Sequence, residues 1–153
     1  MPSFVLTDVD SDVFYEEWML DQASGPDLTG SSDWSISKHT LRGGLSDGVD
    51  VVTLDNGELS ISVLPTRGMG LWCGEYRGIP IGWQSPVARP VHPQFVNLQE
   101  RSGLGWLNGF NELLCRCGLA FNGPPGTDVV VDDDGNSSEL PLTLHGRIAN
   151  TPA

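Results

Sequence analysis

Two short segments of the 153-residue chain hold side chains whose types and spacing could do chemistry. Across residues 140–148, a period of two places Thr143, His145 and Arg147 on one strand face and Leu142, Leu144, Gly146 and Ile148 on the other. A histidine titrating near neutrality can give or take a proton, and a neighbouring arginine can hold an oxygen-rich ligand by directed hydrogen bonds. Gly146 would let a ligand or another backbone approach closely. The same pattern equally fits an exposed strand face with two polar side chains. Across residues 113–119, Arg116 interrupts an apolar run. There it must pair, with Glu112 for example, or face a polar cavity, because an unpaired buried charge is costly. Pairing and ligand binding both remain open at this point.

Other motifs carry less. Gly44-Leu45-Ser46-Asp47-Gly48 matches the nucleophile-elbow pattern, and a later Asp with His145 would complete a triad in chain order. An elbow needs a strand before the serine and a helix after it, whereas residues 49–54 read as a strand, so a turn is expected. His39, His92 and His145 are scattered, and none stands at a zinc spacing with the cysteines. The acidic loop fails as a calcium site, since setting Gly135 at the sixth position puts Val130 first and Pro141 twelfth. Gly103-Leu104-Gly105 lacks the third glycine of a dinucleotide fingerprint, Asn108 standing in its place. No cofactor and no metal are expected.

The elements that must position these residues read as strands. Two alternating runs over residues 49–64 flank Asn56-Gly57, a preferred type I′ hairpin dipeptide. Leu59, Ile61 and Val63 share one face there, with Ser60 and Ser62 on the other. Residues 71–76 and 81–83, turned by Arg77-Gly78-Ile79-Pro80, extend this to a meander. Residues 84–109 show little periodicity and hold Pro86, Pro90, Pro93, Gly103, Gly105 and Gly109, which predicts long ordered loops. Further strands are expected over 113–119, 129–131 and 140–148, with the Asp132-Asp133-Asp134 run in a solvated loop. Residues 12–20 could form a short helix with Phe14 and Trp18 on one face, followed by polar turns at Gly25-Pro26 and Gly30-Ser31-Ser32. Residues 1–35 are therefore read as an N-terminal arm and 36–153 as the main β-domain.

Composition agrees with an all-β class. Glycine (19) and proline (11) make up about a fifth of the chain, favouring turns and short strands, while 39% hydrophobic residues suffice for a core. Eight basic against 20 acidic residues give a net charge of −12, the wrong sign for nucleic-acid binding. No apolar run is long enough to span a bilayer, and Met1-Pro2-Ser3-Phe4 opens no basic-then-apolar export signal. Cys115 and Cys117 stand too close in sequence for an ordinary disulfide, so reduced thiols and a cytoplasmic location are expected.

Five segments together resemble a bacterial family related to aldose 1-epimerase, in the galactose-mutarotase-like superfamily. They are residues 41–50, Leu64-Pro65-Thr66-Arg67-Gly68-Met69-Gly70, Gly82-Trp83-Gln84-Ser85-Pro86, residues 103–118 and residues 144–153. The resemblance covers nearly the whole chain. It implies an antiparallel β-sandwich whose concave face binds a sugar or sugar derivative. His145, in Leu144-His145-Gly146, resembles the mutarotase histidine that meets the sugar near its ring oxygen. Arg116 resembles the upstream arginine that binds hydroxyls, although Cys115 precedes it where mutarotases commonly have asparagine. Arg67 and Arg147 are expected to line the same site. Opening a hemiacetal ring requires protonating the ring oxygen and deprotonating the anomeric hydroxyl, so two proton-handling groups are needed. The resemblance places the second histidine and the base glutamate beyond residue 153, and this chain is read as the N-terminal part of a longer, anomer-interconverting domain. A carbohydrate-binding or sensing protein without catalysis, on the same fold, is the alternative.

Overall fold

The computed structural model describes residues 3–26, 33–119 and 121–153. The expected polar turn at Gly30-Ser31-Ser32 lies outside them. Among the described residues, antiparallel strands dominate and helix is confined to short turns. The fold is all-β, as the composition suggests.

The strands follow in chain order: β1 (Thr7–Asp8), β2 (Val13–Phe14), β3 (Glu17–Asp21), β4 (Ser35–Thr40), β5 (Asp50–Asp55), β6 (Leu59–Leu64), β7 (Gly70–Tyr76), β8 (Ile79–Ile81), β9 (Gly126–Val131) and β10 (Ser137–Leu142). The strands β3 to β8 form one six-stranded sheet in which each pairs with its chain neighbour, so the meander read from the turn residues is present. Val49, Val51 and Leu64 are buried at its centre, with Leu41 and Trp72 packed on them. In the pairing of β5 with β6, Val52 faces Val63 on the sheet face opposite Val51, and Thr53 faces Ser62 with their hydroxyls 3.0 Å apart. The register between β6 and β7 then slips after Ser62, which pairs with Cys73 while Val63 pairs with Leu71. Such a bulge bends and twists the strand. Pro80 sits in the terminal strand of the sheet, where its missing N–H is tolerated.

The β5–β6 hairpin forms where Asn56-Gly57 predicts it, with a different turn. Asn56 N donates to Leu59 O at 3.1 Å, which makes Gly57 and Glu58 the central pair. Gly57 is left-handed (φ 84°) and Glu58 is not, the signature of a type II′ rather than a type I′ turn.

Residues 12–20 are not helical. The strand β2 pairs with β1, and β3 pairs along its full length with β4. Strand partners offered by the rest of the fold outweigh a weak i, i+4 apolar pattern. Part of the expected N-terminal arm thereby joins the main sheet. It is fastened by buried Lys38, whose Nζ donates to Tyr15 O at 2.6 Å and to Asp50 Oδ1 at 2.9 Å and lies 4.4 Å from the centre of the Phe14 ring.

Residues 84–109 are ordered loop, as their prolines and glycines predict, broken only by short 3-10 turns at Pro93–Phe95 and Gly105–Gly109 and a turn at Glu100–Gly103 in which Arg101 and Ser102 are left-handed. The strands β9 and β10 form a separate exposed hairpin. At its tip, Asp132 accepts from the backbone N–H groups of Asp134 and Asn136. The Asn136 side-chain amide, and then these backbone bonds, hold its carboxyl below the usual range.

Candidate functional site

Of the two strands expected to carry the site, the one over 113–119 is replaced by loop and the one over 140–148 persists only to Leu142. Residues 113–119 meet β7 only at their start, where Leu71 and Leu114 exchange backbone bonds of 2.8 and 3.0 Å and Leu113 N donates to Trp72 O at 3.0 Å, after which Gly118 (φ 85°) and Leu119 (φ 66°) turn the chain away. The last strand stops at Leu142. Beyond it, Leu144 N donates to Gly103 O at 2.9 Å, His145 N donates to Gly123 O at 2.9 Å, and Gly118 N donates to His145 O at 3.5 Å. Distant loops thus take the hydrogen bonds that a neighbouring strand would have taken. His145 (φ 56°) and Gly146 (φ 76°) are both left-handed, so the period-two face shared by Thr143, His145 and Arg147 does not exist.

The His145 side chain is held from two sides. Its Nδ1 lies 3.2 Å from Asn122 Oδ1, and its ring stands edge-on to Trp106 at 5.2 Å and 77°. Asn122 fixes the orientation of the imidazole and leaves Nε2 as the nitrogen open to a ligand. Trp106 is 3% exposed and stacks on Phe110 at 4.8 Å, which in turn meets Trp83 at 5.1 Å. Trp83 Nε1 donates to Glu112 O at 2.9 Å, tying this aromatic row to the loop before Arg116. The indole N–H of Trp106 is buried with no hydrogen-bond partner among the described residues.

Arg116 is exposed, not embedded in an apolar strand, and its guanidinium donates to Gly68 O at 3.3 Å. Arg147 is also exposed. Gly68 follows Arg67 in the turn after β6, and a Cβ placed on it would lie 2.1 Å from Ile148 O. The backbone segments bearing Arg67, Arg116, His145 and Arg147 are therefore gathered at one place. Arg67 differs from the others in having no exposed surface. Its guanidinium donates to Glu112 Oε1 at 2.8 Å, to Gly109 O at 2.8 Å and to Asn150 Oδ1. Expected to line the site, it instead braces the loops from beneath, and Glu112 is the partner of Arg67 rather than of Arg116. Sequence reasoning did not single out Trp106, Asn122 or Asn150. The one available signal was the glycine-rich setting of Trp106 in Gly103-Leu104-Gly105-Trp106.

Ser46, in the elbow-like motif, is in a 3-10 turn with its hydroxyl donating to Pro90 O at 2.7 Å. It fastens a loop, as the turn reading predicts. An open cleft of about 590 Å³ lies elsewhere, lined by Asp21, Trp34, Ser35 and Asp55 among others. It holds none of the candidate residues. Among the described residues, no helix is long and apolar enough to cross a membrane.

Comparison with known proteins agrees with this fold. No curated protein matches the chain. The crystal structure of a proposed aldose 1-epimerase from Klebsiella pneumoniae subsp. pneumoniae is similar to it, with a TM-score of 0.80 and 37% identity over 98% of this chain and 36% of that one. The chain thus spans about a third of that protein's length. Its antiparallel fold matches the fold of that aldose 1-epimerase-like protein. The family description Domain of unknown function (DUF4432) matches residues 46–153, which include every candidate site residue. That match runs over more than half of the sequence, and the chain belongs to the DUF4432 family.

Proposed function

We propose that this chain is the N-terminal part of a cytoplasmic, carbohydrate-binding, aldose 1-epimerase-like protein. In this reading His145 meets a sugar or sugar derivative near its ring oxygen, and Arg116 and Arg147 hold its hydroxyls. The observation that carries the proposal is the gathering of the backbone segments that bear these three residues, with the His145 ring oriented by Asn122 and Trp106. A fixed imidazole beside exposed guanidinium groups suits a ligand rich in hydroxyls. Likeness to a proposed aldose 1-epimerase supports the same ligand class.

Anomer interconversion proceeds through the open-chain aldehyde. The ring oxygen gains a proton as its bond to the anomeric carbon breaks, and the anomeric hydroxyl loses one. In our reading His145 orients the ring oxygen, the arginines fix the sugar, and the remaining proton-handling groups come from sequence beyond residue 153. Arg67 supports the site by holding the loops in place.

The test is His145→Ala in the complete protein, with sugar binding followed by calorimetry and interconversion by polarimetry. Loss of both is expected, and unchanged values for both would end the assignment. Wild-type protein that binds sugar without interconverting its anomers would make it a binding or sensing protein.

A further inference from the structure

The thiols of Cys115 and Cys117 lie 3.6 Å apart on either side of Arg116. They are in contact without being bonded. Residues two apart are separated by at most about 6.8 Å in an extended chain, and disulfides bridge Cα atoms roughly 4.4–6.8 Å apart. Closing to a bond length of about 2.05 Å is therefore a local rearrangement, and the ring it makes is a strained, reducible one rather than the ordinary structural disulfide that this spacing excludes. The rearrangement is also confined. Leu114 is pinned to Leu71 by two backbone bonds, and Gly118 N donates to His145 O, so the freedom lies within residues 115–117.

We propose that Cys115 and Cys117 are a reversible oxidation site, closed to a disulfide by a peroxide, that resets the position of Arg116. Cys117 is exposed and Cys115 half-buried, which makes Cys117 the attacking sulfur. Burial, with Cys117 beside it, pushes the Cys115 thiol up to about 12, so Cys115 holds its proton while Cys117 reacts. The Cys117 thiolate attacks one oxygen of hydrogen peroxide; the S–O bond forms, the O–O bond breaks, and the departing hydroxide takes up a proton to become water. Cys115 sulfur then attacks the sulfenic sulfur of Cys117. The S–S bond forms, the S–O bond breaks, and the leaving hydroxide takes the Cys115 proton as a second water. Two thiols and one peroxide give one disulfide and two waters. A ring this small and exposed is readily reduced again by a dithiol. Closing it changes the backbone on both sides of Arg116 and draws the guanidinium away from Gly68 O. The effect on ligand binding rests on the sugar-site reading above; the oxidation chemistry does not.

The test treats the reduced chain with hydrogen peroxide, alkylates remaining thiols and measures the mass. Free thiols should fall from three to one, leaving Cys73, with loss of two hydrogens and a peptide cross-linked between Cys115 and Cys117. Dithiothreitol should restore all three. The Cys115→Ser variant should stop at a Cys117 sulfenic acid that dimedone captures. Oxidation of Cys117 onward to sulfinic acid with Cys115 still free, or cross-links through Cys73 or between chains, would overturn the proposal. In the complete protein, the oxidised form should bind sugar about tenfold more weakly, the scale of one lost charge-assisted contact. Equal affinity in both forms overturns the link to Arg116. Absence of sugar binding in both forms, with the disulfide formed, overturns the sugar-site reading alone.

Discussion

Arg67 Nε donates to Glu112 Oε1 at 2.8 Å, and neither side chain has any exposed surface. The arginine lies in the turn after β6, and the glutamate lies in the loop leading to Arg116. The second carboxylate oxygen of Glu112 accepts from Asn111 N at 3.0 Å, and the guanidinium also reaches Gly109 O and Asn150. A buried pair so fully hydrogen-bonded fixes geometry more than it adds net stability. It locks the end of the sheet to the loops beneath His145.

Removing one partner should expose that dependence. Arg67→Met leaves Glu112 buried and uncompensated, at a cost of about 3–5 kcal/mol. Arg67→Met with Glu112→Leu should cost less than the two single substitutions summed, because no lone charge remains. Urea unfolding of the three variants checks this. Strict additivity would contradict the coupling.

Gly68→Ala should destabilise the fold by about 2 kcal/mol or more. The position is left-handed (φ 62°), and the new methyl would lie 2.1 Å from the Ile148 carbonyl oxygen. Gly78→Ala is the control, also at positive φ (78°) but with nothing near its Cβ position, and should cost only about 1 kcal/mol. Denaturant midpoints should separate the two clearly.

His145→Gly should separate stability from function. Relief of a left-handed non-glycine residue is worth about 1 kcal/mol, and the lost edge contact with Trp106 costs a similar amount. Net stability should therefore move by less than about 1 kcal/mol, while sugar binding in the complete protein falls by about tenfold or more. Calorimetry beside thermal unfolding reads both. A large stability loss with intact binding would mark His145 as structural.

Thiol reactivity should order the cysteines. A raised thiol pKa keeps the protonated, unreactive form, so Cys115 alkylation should stay slow at pH 8 and climb as pH approaches 12. Exposed Cys117 should react first. Burial of Cys115 is unchanged in Cys117→Ser, but the neighbouring thiol is gone, so Cys115 should react faster at a given pH than in the wild type. Peptide mapping after timed iodoacetamide pulses follows each site.

Local chemistry made much of this protein legible in its sequence. Alternation and Asn56-Gly57 located the hairpin of β5 and β6, the turn at Arg77-Gly78 continued the meander, and the acidic run marked the tip between β9 and β10. Each depends on residues within a few positions of one another. The motif segments also identified the family, because they are long and occur in order.

The position of the site residues was decided by tertiary structure. A period of two continues through residues 140–148, yet the strand ends at Leu142 because Gly103, Gly118 and Gly123 take the next backbone bonds. Nothing local to Arg67 distinguishes a ligand-binding arginine from a buried one. Its role is set by Glu112 and Asn150, 45 and 83 residues away. Sequence pattern determines which residues can pair and turn. Which of them are buried, and which remain free to meet a ligand, depends on long-range partners that compete for the same hydrogen bonds.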